Sequence, residues 1–232
     1  MQVVILAGGL ATRMRPLTDK IPKALIPVLS RPFIDWQLAA LASSGYDDVI
    51  LCIAHLGDQI RAHVGDGGRI GIRVRYSEEG PRLMGTGGAA RAAFPHLAPT
   101  FLVTYGDSYL PFDYGSPLRV LNANEDCDGV MSVFRNAGKW DASNVALRGD
   151  FVSRYEKGHC DPELDCIDYG AIALRRGVLE RRPANVAFGL DEVLGDMARR
   201  SRLRAVIAEE RFYEIGSPEG LSTLEQKLKG PS

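Results

Sequence analysis

Val3-Val4-Ile5-Leu6-Ala7-Gly8-Gly9-Leu10-Ala11-Thr12-Arg13 stands at the head of the chain. The unbroken apolar run from Val3 reads as a strand buried on both faces, and Gly8-Gly9 ends it in a turn. In an open α/β sheet, ligands bind beyond the carboxyl ends of the strands. A Gly-Gly pair there lets the backbone approach a phosphate and point N–H groups at it. Leu6, Ala7, Gly8 and Gly9 would form that floor. Arg13, Arg15 and Lys23 follow it. Arg grips phosphate bidentately and Lys acts as a point charge, so the segment reads as a polyphosphate cradle. A Walker loop would need a second Gly followed by Lys, and a dinucleotide fingerprint would need G-x-G-x-x-G; neither is present. The plain alternative is a Gly turn with exposed basic residues.

Working outward, Pro32 to Ser43 predicts a helix with Phe33, Trp36, Leu38 and Leu41 on its apolar side. Val49–Ile53 predicts a second buried strand. Gln59–Val64 reads as a helix, Ile72–Tyr76 as a strand and the Ala-rich Gly88–Phe94 as a helix. Phe101–Tyr105 is a further apolar strand ending at Gly106-Asp107. Such alternation implies βαβ units and a parallel sheet covered on both faces. Beyond residue 125, Val130–Phe134, Val145–Leu147, Phe151–Tyr155 and Ala171–Leu174 read as strands with few helices between them, which predicts a partly antiparallel region. Asp191–Arg200 and Leu221–Leu228 return to helix. The expectation is an α/β fold: a Rossmann-like mixed, mostly parallel sheet flanked by helices, as a single domain over 1–232.

With 232 residues, 45% of them apolar and 25% charged, the chain is of ordinary globular composition and long enough to bury a core without metal or disulfide. Lys+Arg number 28 and Asp+Glu 29, so no global basic field exists to hold nucleic acid. No signal peptide or membrane span is expected, since the first apolar run meets Gly8-Gly9 too soon. Cys52, Cys127, Cys160 and Cys166 form no C-x-x-C pair and read as free thiols of a reducing cytoplasm. His159, Cys160 and Cys166 match no zinc spacing.

The segment from Leu6 to Val28 resembles the signature of the sugar-1-phosphate nucleotidyltransferases, L-A-G-G-x-G-T-R-L-R-P-L-T followed by P-K-P-L-L/V-P-V. The likeness extends over nearly the whole chain, more loosely after residue 115. It is nearest to short members without a C-terminal β-helix, which include mannose- and heptose-1-phosphate guanylyltransferases and N-acetylmuramate-1-phosphate uridylyltransferases. Two positions depart from the signature. The Gly before Thr-Arg is Ala11, whose methyl either alters loop closure or meets a backbone that needs no positive φ. The second Pro of P-K-P is Ala24.

The resemblance implies an enzyme acting on an NTP and a sugar 1-phosphate with Mg²⁺, without nucleic acid or membrane. Residues 1–115 would bind the nucleotide and 116–232 the sugar phosphate. Arg13 and Lys23 would be the catalytic cations, Arg13 on the β,γ-phosphates and Lys23 between the α-phosphate and the acceptor. Gly85-Thr86-Gly87-Gly88 matches the G-T-x-G loop near base and ribose; the plain reading is that Thr86 caps its own helix. Asp107, in Gly106-Asp107-Ser108, matches the nucleotide-end acid that binds Mg²⁺. Glu156-Lys157 resembles E-K-P, with Gly158 for Pro, where the Lys contacts the acceptor phosphate; a lone E-K pair is otherwise a surface ion pair. Tyr169-Gly170 resembles the segment lining the sugar pocket, and Asn144, with Asp141 and Ser143, would border it. Asp191 and Glu192 would touch sugar hydroxyls or simply suit a helix start. Glu214 stands where the second metal Asp belongs, ahead of Ser217-Pro218, which also read as a helix start. The base, the sugar and the oligomeric state stay open. So do a non-catalytic regulatory homologue and a cytidylyltransferase for a non-sugar phosphate such as phosphocholine.

Overall fold

The computed structural model describes residues 1–80, 82–136, 138–158 and 161–230. His159 and Cys160 lie outside the described residues. The first strand, β1 (Gln2–Leu6), is buried along its whole length. A loop of three short helical turns (Thr12–Met14, Leu17–Asp19, Lys23–Leu25) leads to a hairpin of β2 (Pro27–Val28) and β3 (Arg31–Pro32). Then α1 (Phe33–Ser43), β4 (Asp48–Ile53), α2 (Gly57–Val64), β5 (Arg73–Glu78), α3 (Gly85–Ala92) and β6 (Thr100–Tyr105) alternate as the apolar pattern predicts. A two-residue strand, β7 (Ser108–Tyr109), and α4 (Gly115–Ala123) follow.

The second half runs β8 (Gly129–Arg135), β9 (Val145–Arg148), β10 (Phe151–Tyr155) and β11 (Cys166–Arg175). It closes with α5 (Gly177–Glu180), α6 (Leu190–Arg199), β12 (Leu203–Ala208), β13 (Tyr213–Glu214) and α7 (Pro218–Lys229). Pro32 does not sit inside its helix as the sequence suggests: it closes the β2–β3 pairing and stands just before α1. β11 is longer than the apolar stretch Ala171–Leu174, because pairing with β8 and β9 carries it back to Cys166.

One nine-stranded sheet, in the order β5-β4-β1-β6-β11-β8-β12-β10-β9, runs through both halves. Its first four strands are all parallel, with Val3 level with Val49 and Leu102. Beyond them β11 is antiparallel to β6 and β8, β12 is parallel to β8, and β10 is antiparallel to β12 and β9. Parallel pairing therefore dominates only the front half. The cause is local: β9 and β10 are joined by too short a turn for a crossover, so they must run antiparallel.

Successive residues of each strand face opposite sides of the sheet and feed two cores. Val4, Leu6, Cys52 and Val103 pack under α3 and α6; Val3, Ile5, Leu51 and Leu102 pack under α1, α2 and α4. A third cluster of Met14, Ile26, Val28, Phe33, Ile215 and Leu224 fastens α7 and β13 to the loop that follows β1. Each such side chain contributes roughly 1.5–3 kcal/mol on burial, and here that energy fixes the end of the chain against its beginning. Among the described residues no helix is long and apolar enough to cross a membrane.

Candidate active site

The carboxyl ends of β1 and β6 open into a cleft of about 260 Å³. Its lining includes Leu6, Ala7, Gly8, Gly9, Lys23, Glu79, Gly85, Thr86, Tyr105 and Asp107. Gly106 lets the two strand ends close up: its amide donates to Leu6 O at 2.9 Å, and a Cβ there would lie 2.9 Å from Ala7. Gly8 is crowded by different neighbours, since a Cβ there would lie 2.7 Å from Glu79 Oε1 and 3.1 Å from Ala54 Cβ. The turn beyond passes through Ala11 at φ 47°, ψ 45°, with its carbonyl accepting from the Thr18 hydroxyl at 2.9 Å. The backbone thus does need a positive φ at this point. The alanine adopts it against a preference of roughly 1–2 kcal/mol.

The loop returns Lys23 to the strand ends, where its Nζ lies 2.5 Å from Asp107 Oδ2, both side chains being largely buried. Glu214 comes from the far end of the sequence. β13 pairs with β7 so that Glu214 is opposite Ser108, and Ile215 N donates to Asp107 O at 3.0 Å. Burial, followed by the neighbouring Asp107 carboxylate, pushes the Glu214 carboxyl up to about 7, against the opposing pull of Lys23 and Arg13. A Cβ at Gly216 would lie 3.2 Å from both the Arg13 guanidinium and the Lys23 ammonium. Two cations from the loop after β1 and two carboxylates from distant stretches of chain therefore face one spot. Arg13 itself stays exposed at the rim.

The glycine run at α3 differs from expectation. Gly85 and Thr86 line the cleft, but Gly87 and Gly88 are buried away from it, and their amides both donate to Phe188 O, at 3.1 and 3.2 Å. These glycines exist because a side chain at Gly87 would overlap the Phe188 ring and one at Gly88 would strike Met84. Nor does Thr86 cap its own helix. Its hydroxyl accepts from Leu190 N, at the start of α6, at 2.9 Å. Glu79 is a site residue that sequence reasoning passed over. Its Oε2 accepts from Met84 N at 2.5 Å, and burial raises the carboxyl above its usual range despite that bond.

In the second half of the chain, Lys157 is exposed, with its ammonium 5.4 Å from the Tyr105 ring centre and 5.8 Å from that of Tyr155. Both phenols are bound to one buried carboxylate: Tyr155 OH donates to Asp168 Oδ2 at 2.8 Å and Tyr105 OH at 3.3 Å. Burial and the Asp168 charge push both hydroxyls far above the usual phenol range. Gly170 takes φ 90° at an irregularity in β11, its amide donating to Asp168 Oδ1 at 3.0 Å, close against Tyr105. Asn144 Oδ1 accepts from Asp168 N at 2.8 Å, so it secures this strand and offers its oxygen to the backbone.

Two further expectations do not hold. Tyr169 is 1% exposed and packs edge-on and tilted between Phe212 and Phe112, since alternation along β11 turns it to the face opposite Asp168 and Gly170. Glu156 turns to Arg154 NH2 at 3.3 Å, in a surface group with Asp161 and Glu163. Glu192 serves its own helix start, accepting from Gly189 N at 2.9 Å, and Ser217 likewise caps α7, accepting from Gly220 N at 3.1 Å.

The nucleotidyl transferase family model matches residues 2–138 of the chain. A D-glycero-alpha-D-manno-heptose 1-phosphate guanylyltransferase of Campylobacter jejuni is 28% identical over 219 residues, spanning 94% of this chain and 96% of that one. An N-acetylmuramate alpha-1-phosphate uridylyltransferase of Neisseria meningitidis is 39% identical over 115 residues, about half of each chain. The crystal structure of HddC from Yersinia pseudotuberculosis complexed with GMP-PN superposes with a TM-score of 0.79 at 25% identity, covering 98% of this chain and 99% of that one.

Proposed function

The chain belongs to the nucleotidyl transferase family, and on that premise we propose that it is a sugar-1-phosphate guanylyltransferase. It transfers a nucleotidyl group from an NTP to a sugar 1-phosphate, releasing pyrophosphate. The acceptor's phosphate oxygen forms a bond to the α-phosphorus while the bond from that phosphorus to the bridging oxygen of the β-phosphate breaks. The nucleophile is already an anion, so no general base is needed. The task is to bring two anions together and neutralise the charge that develops.

The observation that carries this reading is the Lys23–Asp107 ion pair facing Glu214 at the strand ends. Lys23 stands beside the reacting phosphates and Arg13 holds the outer ones. Asp107 and Glu214 are hard oxygen donors, and burial first and the Asp107 charge second raise the Glu214 carboxyl. Such a pair suits Mg²⁺, which takes one or two carboxylates and completes its shell with phosphate oxygens and water. When bound, the ion would neutralise and align the phosphates. Lys157 anchors the acceptor phosphate from its seat on Tyr105 and Tyr155.

Choice of GTP is supported by likeness over the whole length to the heptose-1-phosphate guanylyltransferase and to the GMP-PN-bound structure. Glu79 supports it chemically. A carboxylate in the cleft accepts from paired donors, and guanine offers N1–H with an adjacent amino group, whereas uracil offers a single N–H. The uridylyltransferase likeness over half the chain keeps UTP as the competitor. Pyrophosphate release with GTP, UTP, CTP and dTTP against mannose, heptose and N-acetylmuramate 1-phosphates tests the reading. GTP is expected to be preferred at least tenfold, and a preference for UTP overturns the assignment of the base.

A further inference from the structure

Gln37 lies on the sheet-facing side of α1 among Ile34, Leu38 and Leu41, and is 0% exposed. Its apolar neighbours could be packed equally well by Met or Leu, and burying an amide costs free energy unless its bonds are made. They are made at one place. Nε2 donates to Tyr105 O at 2.7 Å and to Ser108 O at 3.2 Å, while Oε1 has no partner. Those two carbonyls bracket Gly106-Asp107. On the other side of the same turn, Ile215 N donates to Asp107 O, and Ser108 pairs with Glu214. The turn is thus clamped by backbone on one side and by a single side chain on the other.

We propose that Gln37 is a positioning residue: by tying Tyr105 O to Ser108 O it fixes the turn that aims the Asp107 carboxylate and sets its spacing from Glu214. Gln37 touches no substrate in this account and acts only through Asp107. The inference rests on the reading of Asp107 and Glu214 as the pair that holds the divalent cation. Hydrogen bonds behind a metal ligand commonly govern ~10–100-fold of metal affinity. Loss of the two bonds from Gln37 should therefore weaken the cation more than the nucleotide. A change of packing alone would lower stability and spare that ratio.

The experiment measures Mn²⁺ binding by electron paramagnetic resonance, with a non-hydrolysable GTP analogue present, and analogue binding without metal. Gln37→Met keeps length and volume but donates nothing. It is expected to weaken Mn²⁺ about tenfold while changing metal-free nucleotide affinity less than twofold. Gln37→Asn keeps an amide that cannot span both carbonyls; it should do the same, and it serves if the Met variant does not fold. Asp107→Asn is the reference. Weakening by Asp107→Asn with none in the folded Gln37 variants overturns this inference alone. If Asp107→Asn leaves Mn²⁺ binding intact, the metal reading fails and this inference fails with it.

Discussion

Two lysines from opposite halves of the chain, one lining the cleft and one beside its Tyr105 wall, are held by different physics. Lys23 is locked into an ion pair with Asp107, largely out of water, behind a loop sealed by Met14, Ile26 and Ile215. Lys157 is exposed and rests over two aromatic rings whose hydroxyls share Asp168. A charge fixed in a dry, preorganised setting acts strongly on the transition state. A charge on an aromatic seat contributes ~0.5–1 kcal/mol of attraction at an exposed site, and its value lies in placement. The nucleotide end should therefore govern turnover, and the acceptor end should govern capture.

The largest expected effect is that of Lys23→Ala. It should cut turnover ~10²–10³-fold with the fold intact, as steady-state pyrophosphate release will read. A loss of only a few-fold would erase the contrast between the two ends. Lys157→Ala should act differently, raising KM for the sugar 1-phosphate roughly tenfold or more, as expected when about 1.4 kcal/mol of binding is lost. KM for the nucleotide should hold within twofold. An equal change for both substrates would show that Lys157 does not belong to the acceptor alone.

Glu214 sharpens the comparison through pH. Its folded-state value of about 7 lies above the ordinary 4.5, so the protonated form is the one the fold prefers. Its contribution to stability is complete below about 4.5 and is lost as pH rises through 7. In metal-free protein, Glu214→Gln should be as stable as wild type at pH 5 and more stable at pH 8, on the order of 2 kcal/mol. Chemical denaturation at both pH values checks this, and equal stability at pH 8 would separate Glu214 from Asp107. The smallest effect belongs to Glu156→Gln. Because Glu156 pairs with Arg154 on the surface, KM for either substrate should change less than twofold. A larger change would bring the whole Glu156-Lys157 pair into the acceptor end.

What was legible in the sequence follows the same division. Gly8-Gly9 and Asp107 could be placed from the chain alone because each lies just after the end of an apolar strand, and strand ends gather at one edge of an α/β sheet; Lys23 sits deep in the loop after β1, and its place came from the Pro-Lys signature. Glu214 was legible only through its resemblance, since its partner Ser108 is far away in sequence. Gly87 reads otherwise in the sequence because its need for glycine arises from Phe188, roughly a hundred residues downstream, and both amides are taken by the Phe188 carbonyl. Tyr169 was misjudged because the sequence does not show which face of β11 holds Asp168. Gln37 left a signal that was not used. It sits three residues after Ile34 and four before Leu41, on the apolar stripe where a polar residue has no packing reason to be.

The joint between α3 and the start of α6 bears on how the two substrates act on each other. Phe188 O accepts from the amides of Gly87 and Gly88, and Leu190 N donates to the Thr86 hydroxyl in the cleft wall. α6 in turn lies along β10, with Gly195 against the carbonyl of Tyr155, two residues before Lys157. A nucleotide that stiffens the wall at Gly85-Thr86 therefore stiffens, through one rigid lever, the perch from which Lys157 reaches out. On the function proposed above, this chain of contacts joins the two half-sites, and by linkage any coupling it carries works equally in both directions. Each substrate should therefore tighten the other by the same factor, which calorimetric titration of either ligand with and without the other will read.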